Sequence, residues 1–382
     1  MDQIYYKITN KEECHHGFQY VDGLNILDKM FEPEGSCVEG GLYFTTAKHI
    51  IKFLKYGCYL REITLPKDCQ WVKDPAGDKF RADKIIFGKR YDLTDPLTFQ
   101  FLIEKGANIN LEYVLGWAST NGFLQVVTWA TEKGANIHLN DNYALRQASK
   151  YGHLRVVTWL VEAGANIHTN DDCALKLASM NGDLAVIKWL VEAGANIHAD
   201  DNRALKMASE NGHLAVIKWL VENGANIRAD NDYALRQASA YGHLEVVKYL
   251  VESGSNSHGA LIWASTRGHL EIVKYLVERS LKRPINLPFA KRPINLPFAK
   301  RLINLPFADN VESGSNSHAG KNDALIRAST HGHLEVVKYL VENGANIHAE
   351  NDLAWRIASY CGKIQVAEYL KTTHNNREKL NT

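Results

Sequence analysis

From residue 95 onward, one arrangement of apolar and polar positions recurs every thirty residues. At residues 202–228 it reads N-R-A-L-K-M-A-S-E-N-G-H-L-A-V-I-K-W-L-V-E-N-G-A-N-I-R, with close copies one period earlier and later. Ala204, Leu205 and Ala208 fall on one side of a first helix, and Leu214, Val216, Ile217, Leu220 and Val221 on one side of a second. Asn142, Asp172, Asn202, Asp232, Asn322 and Asp352 stand just before the first helices. A side-chain oxygen there is expected to accept from an unpaired amide in that helix's own first turn. Gly152, Gly182, Gly212, Gly242 and Gly332 are expected to end the first helices, and Gly224 a second one. A unit this short cannot bury either apolar face alone, so neighbouring units must stack.

The run A-L-x-x-A-S-x-x-G-H-L-x-V-V-K-x-L-V-E-x-G-A-N-I, carried by Leu235, Ala238, Gly242, His243, Leu244, Val246, Val247, Leu250 and Gly254, resembles the ankyrin repeat. The resemblance covers residues 95–370 with one interruption. It implies a mostly α fold, an ankyrin-type helical solenoid whose first helices line a concave, protein-binding face. Two departures stand out. The family's unit has about 33 residues, and its T-P-L-H is replaced by Tyr233-Ala234-Leu235-Arg236 and equivalents. The missing residues fall between the G-A-N-I turn and the next helix, so a shortened, vestigial β-hairpin finger is expected there.

Residues 1–94 do not repeat and read as a small α+β domain of unknown activity. Residues 47–56 have the pattern of one amphipathic helix, and 59–65 alternate as a strand. Two further strands are expected at 71–72 and 79–87, divided by a turn at 75–78. H-G-F-Q-Y-V-D-G-L-N, E-G-G-L-Y-F and D-K-F-R-A-D-K in this region resemble the leader domain of ankyrin-repeat proteins from giant amoeba-infecting viruses. Repeats are expected over 95–280, beginning with a half-unit cap before six units, and over 311–370, ending in a deviant cap. Between them, residues 281–310 hold a basic insertion in which K-R-P-I-N-L-P-F-A occurs nearly three times. It reads as a tandem duplication tolerated as a loop, or as a linear motif for a partner. Deleting 279–312 would restore an unbroken repeat. The stretch 371–382 is polar and is expected to be a disordered tail.

Charge and composition narrow the function. With a net charge of +1, the chain gives no reason to expect nucleic acid as a partner. No apolar run approaches the roughly 18 residues that would cross a membrane, and no signal peptide is recognised at the start. The six cysteines lie far apart, which suits reduced thiols inside a cell, in host cytoplasm or virion. Cys14, His15, His16, Cys37, His49, Cys58 and Cys69 match no paired-ligand zinc spacing. No catalytic residue, cofactor or metal is therefore assigned.

Periodic residues become rows in a solenoid. Trp129, Trp159, Trp189 and Trp219, continued by Tyr249, Tyr275, Tyr339 and Tyr369, read as an aromatic spine. His153, His213, His243, His269 and His333 read as loop-bonding residues, as the family's Gly-His implies. Arg146, Lys176, Lys206 and Arg236 form a basic row on the first helices, either solvated or facing an acidic partner. Beside it, Tyr143, Cys173, Arg203 and Tyr233 differ between otherwise uniform units, as do Lys150, Met180, Glu210 and Ala240, so partner selectivity is assigned to such varying positions; the first four, with the four cations, are the expected partner-binding residues of the concave face. The expected function is a non-enzymatic, monomeric protein-interaction scaffold, of viral origin and directed at host proteins. The alternatives are an enzymatic or ligand-binding domain at 1–94 targeted by the array, and a structural role in a virion.

Overall fold

The N-terminal strands are short, and most carry too few residues to show an alternation. In a computed structural model describing residues 3–36, 38–75, 77–282 and 317–380, they are β1 (Tyr5–Thr9), β2 (Cys14–His15), β3 (Phe18–Gln19), β4 (Gly23–Ile26), β5 (Leu42–Phe44), β6 (Tyr59–Thr64), β7 (Trp71–Lys73), β8 (Phe80–Ala82) and β9 (Lys84–Asp92). One antiparallel sheet has the order β1-β6-β9-β4, a second β5-β8-β7, and β2-β3 is a hairpin. The sequence anticipated β6 and β7. It read 79–87 as one strand, but Asp83 is a corner where the chain passes from the second sheet to the first. Its backbone and carboxylate bond Gln70 on both sides, and its carbonyl accepts from Leu27 at 2.7 Å. Tyr5, Tyr20, Leu42, Phe44, Ile63, Ala82, Ile85 and Phe87 form the core between the sheets. Residues 47–56 are helical with Ile50, Ile51 and Leu54 inward, as expected, but the helix is of the tighter 3-10 type.

The chain forms two units, Met1–Asn196 and Ile197–Thr382. In the first, β9 runs into a single helix α1 (Pro96–Glu104), capped by Asp95, whose side chain accepts from Leu97 N at 2.9 Å. Tyr91 stacks on Phe101 at 4.5 Å and ties the strands to this half-unit. Three hairpins follow: α2 (Leu111–Asn121) with α3 (Leu124–Glu132), α4 (Leu139–Lys150) with α5 (Leu154–Glu162), and α6 (Thr169–Asn181) with α7 (Leu184–Glu192). First helices pack on first helices and second on second. The contact is close because Ala118, Ala144, Ala148, Ala174 and Ala178 are small and buried.

The second unit continues with α8 (Ala199–Glu210), α9 (Leu214–Glu222), α10 (Ala229–Ala240), α11 (Leu244–Glu252), α12 (His258–Arg267), α13 (Leu270–Lys282), α14 (Ser317–His331), α15 (Leu334–Glu342), α16 (Ala349–Tyr360) and α17 (Ile364–Leu380). The nonapeptide copies at 283–308 lie outside the described residues. On either side of them the stack closes: α12 packs on α14 and α13 on α15. The bond from His333 Nε2 to the Thr266 carbonyl spans 67 residues, where the equivalent bond from His153 to Thr120 spans 33. The excess of 34 residues is the length whose removal restores the period. The last helix corrects one expectation. The presumed tail continues α17 to Leu380, with no glycine or proline to stop it, and Thr372 and Thr373 bond back to the Glu368 and Tyr369 carbonyls.

The shortened finger is replaced by a left-handed turn. Asn140, Asp141 and Asn142 have φ of 50, 56 and 54°, and the same conformation recurs at 170–172, 200–202, 230–232 and 350–352. Asn and Asp populate this region more readily than other non-glycine residues. The turn changes the role of the residue read as an N-cap. Instead of its own helix, Asn142 Oδ1 accepts from Asn166 N, in the turn between α5 and α6, at 3.0 Å. Asp172 does so from Asn196, Asn202 from Asn226, Asp232 from Asn256 and Asn322 from Asn346, at 2.8–3.2 Å. The expected cap thus ties the turn before a first helix to the turn that follows the second helix of the same hairpin.

Candidate docking groove

An open groove of about 1020 Å³ lies in the first unit, between the strand domain and the first hairpins. One wall is the turn after β1 (residues 10–12) and the end of the 3-10 helix (54–58); the other is α2 and the entry of α4. Gly57 brings the first wall together. A Cβ there would lie 2.0 Å from the Thr9 carbonyl oxygen, so only glycine permits the approach. On the second wall, Asn110 caps α2 by accepting from Tyr113 N at 2.7 Å. Tyr113 and Tyr143, one period apart, line the groove and are 43% and 42% exposed. Gly116 lies at the position of Arg146, Lys176, Lys206 and Arg236 in later units. Its missing side chain leaves room for the Tyr143 ring, whose Cε1 would sit 3.0 Å from a Cβ. Trp117 and Phe123, 5.1 Å apart, complete an aromatic surface.

The structure distributes the eight predicted residues unevenly. Tyr143 lines the groove. Arg146 bends back, its Nε 3.0 Å from the Asp141 carbonyl and an Nη 2.8 Å from that of Asn140, with the guanidinium 5.9 Å from the Tyr143 ring centre. Cys173 and Lys176 are half-buried on α6. In the second unit, Arg203 is half-buried and Lys206 is buried, its Nζ 3.0 Å from Asp201 and 3.3 Å from Asp230. Two cations lie against the Tyr233 ring, Lys206 at 5.4 Å and Arg236 at 5.6 Å, and Arg236 also donates to the Asp230 carbonyl at 3.0 Å. Part of the basic row therefore holds the left-handed turns in place. Sequence reasoning missed Tyr113, Gly116 and the strand-domain wall. A signal existed: the first unit alone has glycine at this position, where the next four carry Arg or Lys and two later ones carry Ile262 and Ile326.

The other rows are structural in the geometry shown. His153, His243, His269 and His333 each place Nε2 2.9–3.0 Å from a carbonyl that ends the preceding first helix. A Cβ on Gly122 would meet the His153 ring at 2.6 Å, which is why glycine and histidine occur together. Burial lowers the His333 pKa, so this ring favours its neutral form. In the aromatic row Trp129 is buried and stacks on Phe99 at 5.4 Å, and the other members are half-buried.

The strand domain holds three buried cations. Arg61 grips Glu13 with two bonds of 2.7 and 2.6 Å and reaches Asp22 at 2.8 Å. Arg81, fully buried, donates to the carbonyls of Glu32, Glu34 and Gly35 and so fixes that loop. Lys7 donates to the Tyr43 carbonyl at 2.8 Å and lies 4.7 Å from the Tyr20 ring centre. Burial pulls its pKa down to about 7. His15 is pulled down to about 4 by burial and by the charges of Lys7 and His16. A depressed lysine can mark a nucleophile, but Lys7 is only 6% exposed and its amine is spent on a backbone carbonyl. Among the described residues, no group of three or more His, Cys, Asp or Glu could hold a metal, and no helix is long and apolar enough to cross a membrane.

Family models for ankyrin repeats match residues 92–171, 145–231, 175–259 and 205–286, and again 325–370. Among curated proteins, the chain is 48% identical over 141 residues to ankyrin repeat protein R868 of Acanthamoeba polyphaga mimivirus, covering 36% of this chain and 70% of that one. It is 44% identical over 131 residues to uncharacterized protein R869 of the same virus, covering 33% and 95%. To its ankyrin repeat protein R229 it is 39% identical over 142 residues, spanning 46% of that protein. Among solved structures, the human ASB11 ankyrin repeat domain matches at 24% identity and a TM-score of 0.40, over 44% of this chain and 85% of that one. Stacked helical hairpins, the Gly-His bond between them and these matches lead to one conclusion: the chain belongs to the ankyrin-repeat family and has relatives among the ankyrin repeat proteins of mimivirus.

Proposed function

We propose that this protein is a non-enzymatic interaction scaffold that docks host proteins during infection, and that the groove between its strand domain and first hairpins is the principal docking site. The observation that carries this reading is the pair Tyr113 and Tyr143, exposed on a groove of about 1020 Å³ that Gly116 opens. Exposed tyrosines in a concave site supply contact area at low entropic cost, as binding hot spots do. Tyr143, Cys173, Arg203 and Tyr233, which vary between units, supply selectivity further along each unit, beside a basic row whose Arg146, Lys206 and Arg236 hold the turns. The mimivirus relatives support the host-directed aspect, and the near-neutral charge favours protein over nucleic acid. The scaffold acts as a monomer inside the infected cell.

The test is site-specific photo-crosslinking of the full-length chain in infected amoebae. A photoreactive phenylalanine at Tyr113 is expected to yield a discrete adduct with a host protein. The same group at Tyr241, exposed in the second unit, is expected to yield none. Equal adducts at both positions, or none at Tyr113, would overturn the proposal.

A further inference from the structure

We infer that β4 is a second interaction surface: an open sheet edge that takes an extended strand of another protein, apolar in its centre and basic at its ends. The inference does not depend on the groove, since no residue of β4 lines it. β4 (Gly23–Ile26) pairs with β9 alone, at the end of the order β1-β6-β9-β4. Leu27 N donates to the Asp83 carbonyl at 2.7 Å, in register with the pair Asn25 and Ile85. Successive residues of an antiparallel strand turn their backbone groups to opposite sides. Those of Gly23, Asn25 and Leu27 therefore face β9, and the N–H and C=O of Leu24 and Ile26 face away from it. Among the described residues, nothing bonds these four groups.

Exposed edges are ordinarily blunted by charge, proline or cover. β1 has cover: Tyr6 and Thr45 exchange backbone bonds of 2.7 and 2.8 Å beside it. β7 carries the exposed Lys73. β4 has neither, and the side chains of Leu24 and Ile26 are apolar and 51% and 55% exposed. The edge is also held in shape, because buried Asn25 accepts from Val21 N at 2.8 Å and donates to the Val21 and Gly23 carbonyls. A preformed edge loses little entropy on pairing. Its alternating N–H and C=O groups are matched by the backbone of another strand, and Leu24 and Ile26 by apolar side chains opposite. Charge sets the ends. Asp22 and Asp28 flank β4, both exposed. Asp22 shares Arg61 with Glu13, Lys29 is taken by Glu39 at 3.3 Å, and Asp28 has no ion pair among the described residues. The uncompensated negative charge favours lysine or arginine in the partner. The same acids disfavour a second copy. Two β4 strands pairing antiparallel with Leu24 opposite Ile26 would place Asp22 of each opposite Asp28 of the other, and like charges opposite one another destabilise a pair.

The test uses the full-length protein and the labelled, end-capped peptide K-T-V-T-V-T-K, whose pattern reads the same in either direction. Two control peptides accompany it: one N-methylated at both valines, which cannot donate to the edge, and E-T-V-T-V-T-E. Fluorescence anisotropy reads binding, and hydrogen exchange with mass spectrometry reads protection over residues 23–27. The double variant Leu24→Lys, Ile26→Lys changes exposed side chains only, and far-UV circular dichroism with a melting curve checks its fold; the control peptides decide the matter without it. The expected result is slower exchange at residues 23–27 with the basic peptide, and at least tenfold weaker binding for each control peptide and for the folded variant. Equal binding of the N-methylated peptide, of the acidic peptide or by the folded variant would each overturn the inference. So would unchanged exchange at residues 23–27 in about 1 mM basic peptide. A dimer of the wild type in sedimentation that the variant lacks would make a second copy the occupant and overturn the assignment to another protein.

Discussion

His153 reaches across to the previous hairpin and places its Nε2 2.9 Å from the Thr120 carbonyl, over a glycine that has no Cβ to obstruct it. Gly122→Ala adds a methyl group 2.6 Å from that ring at a φ of 77°. It is expected to destabilise the first unit by about 1–3 kcal/mol in urea unfolding. His153→Ala removes the obstruction, so the double variant should lose less than the sum of the two single ones. The serine row makes the opposite case. Ser119, Ser149, Ser179, Ser209, Ser265 and Ser329 are buried with hydroxyls that lack a partner, while Ser239 donates to the Leu235 carbonyl at 2.8 Å. Ser179→Ala should therefore be neutral or stabilising by about 1 kcal/mol, and Ser239→Ala should cost more. Equal losses at both positions would show that the row bonds alike throughout. Lys7 sets a pH dependence. Its native pKa near 7 lies below the ordinary 10.5. Between those values the unfolded chain binds a proton that the native chain does not, so stability rises with pH. In thermal melts from pH 7 to about 8.5, before thiols ionise, the slope should approach at most about 1.4 kcal/mol per pH unit. Lys7→Met should flatten it.

Helices and their order were legible because a thirty-residue period repeats the same apolar face several times. Val156, Val157 and Leu160 are buried as their spacing predicts, and so are Val216, Ile217 and Leu220. Strands β2 to β5 were not legible: with two to four residues each, they owe their existence to partners distant in sequence. The left-handed turn was invisible for another reason. Asn-Asp-Asn before a helix is also the signature of an N-cap, and only the position of the next unit decides between the two. Asp171, exposed with a φ of 54°, tests the turn directly. In a left-handed turn, Asp171→Gly is tolerated better than Asp171→Ala, because glycine has no steric penalty at positive φ. In a right-handed first turn the order reverses, by about 1 kcal/mol. Melting temperatures of the two variants decide it.

At the scale of the whole molecule, the family was legible and the groove was not. Tyr143 could be singled out because its position varies among the units, but its setting depends on a wall from residues 10–12 and 54–58 that no period encodes. Within the first unit, the strand domain and the first hairpins are joined through Tyr91 and Phe101, so the domain without repeats does more than precede the array: it supplies one side of the groove. Affinity purification from infected cells, comparing the full-length chain with its Gly116→Arg variant, tests this account most directly. The account predicts at least one host protein recovered with the wild type and reduced at least tenfold with the variant, at unchanged helical content. Equal recovery with both would contradict it.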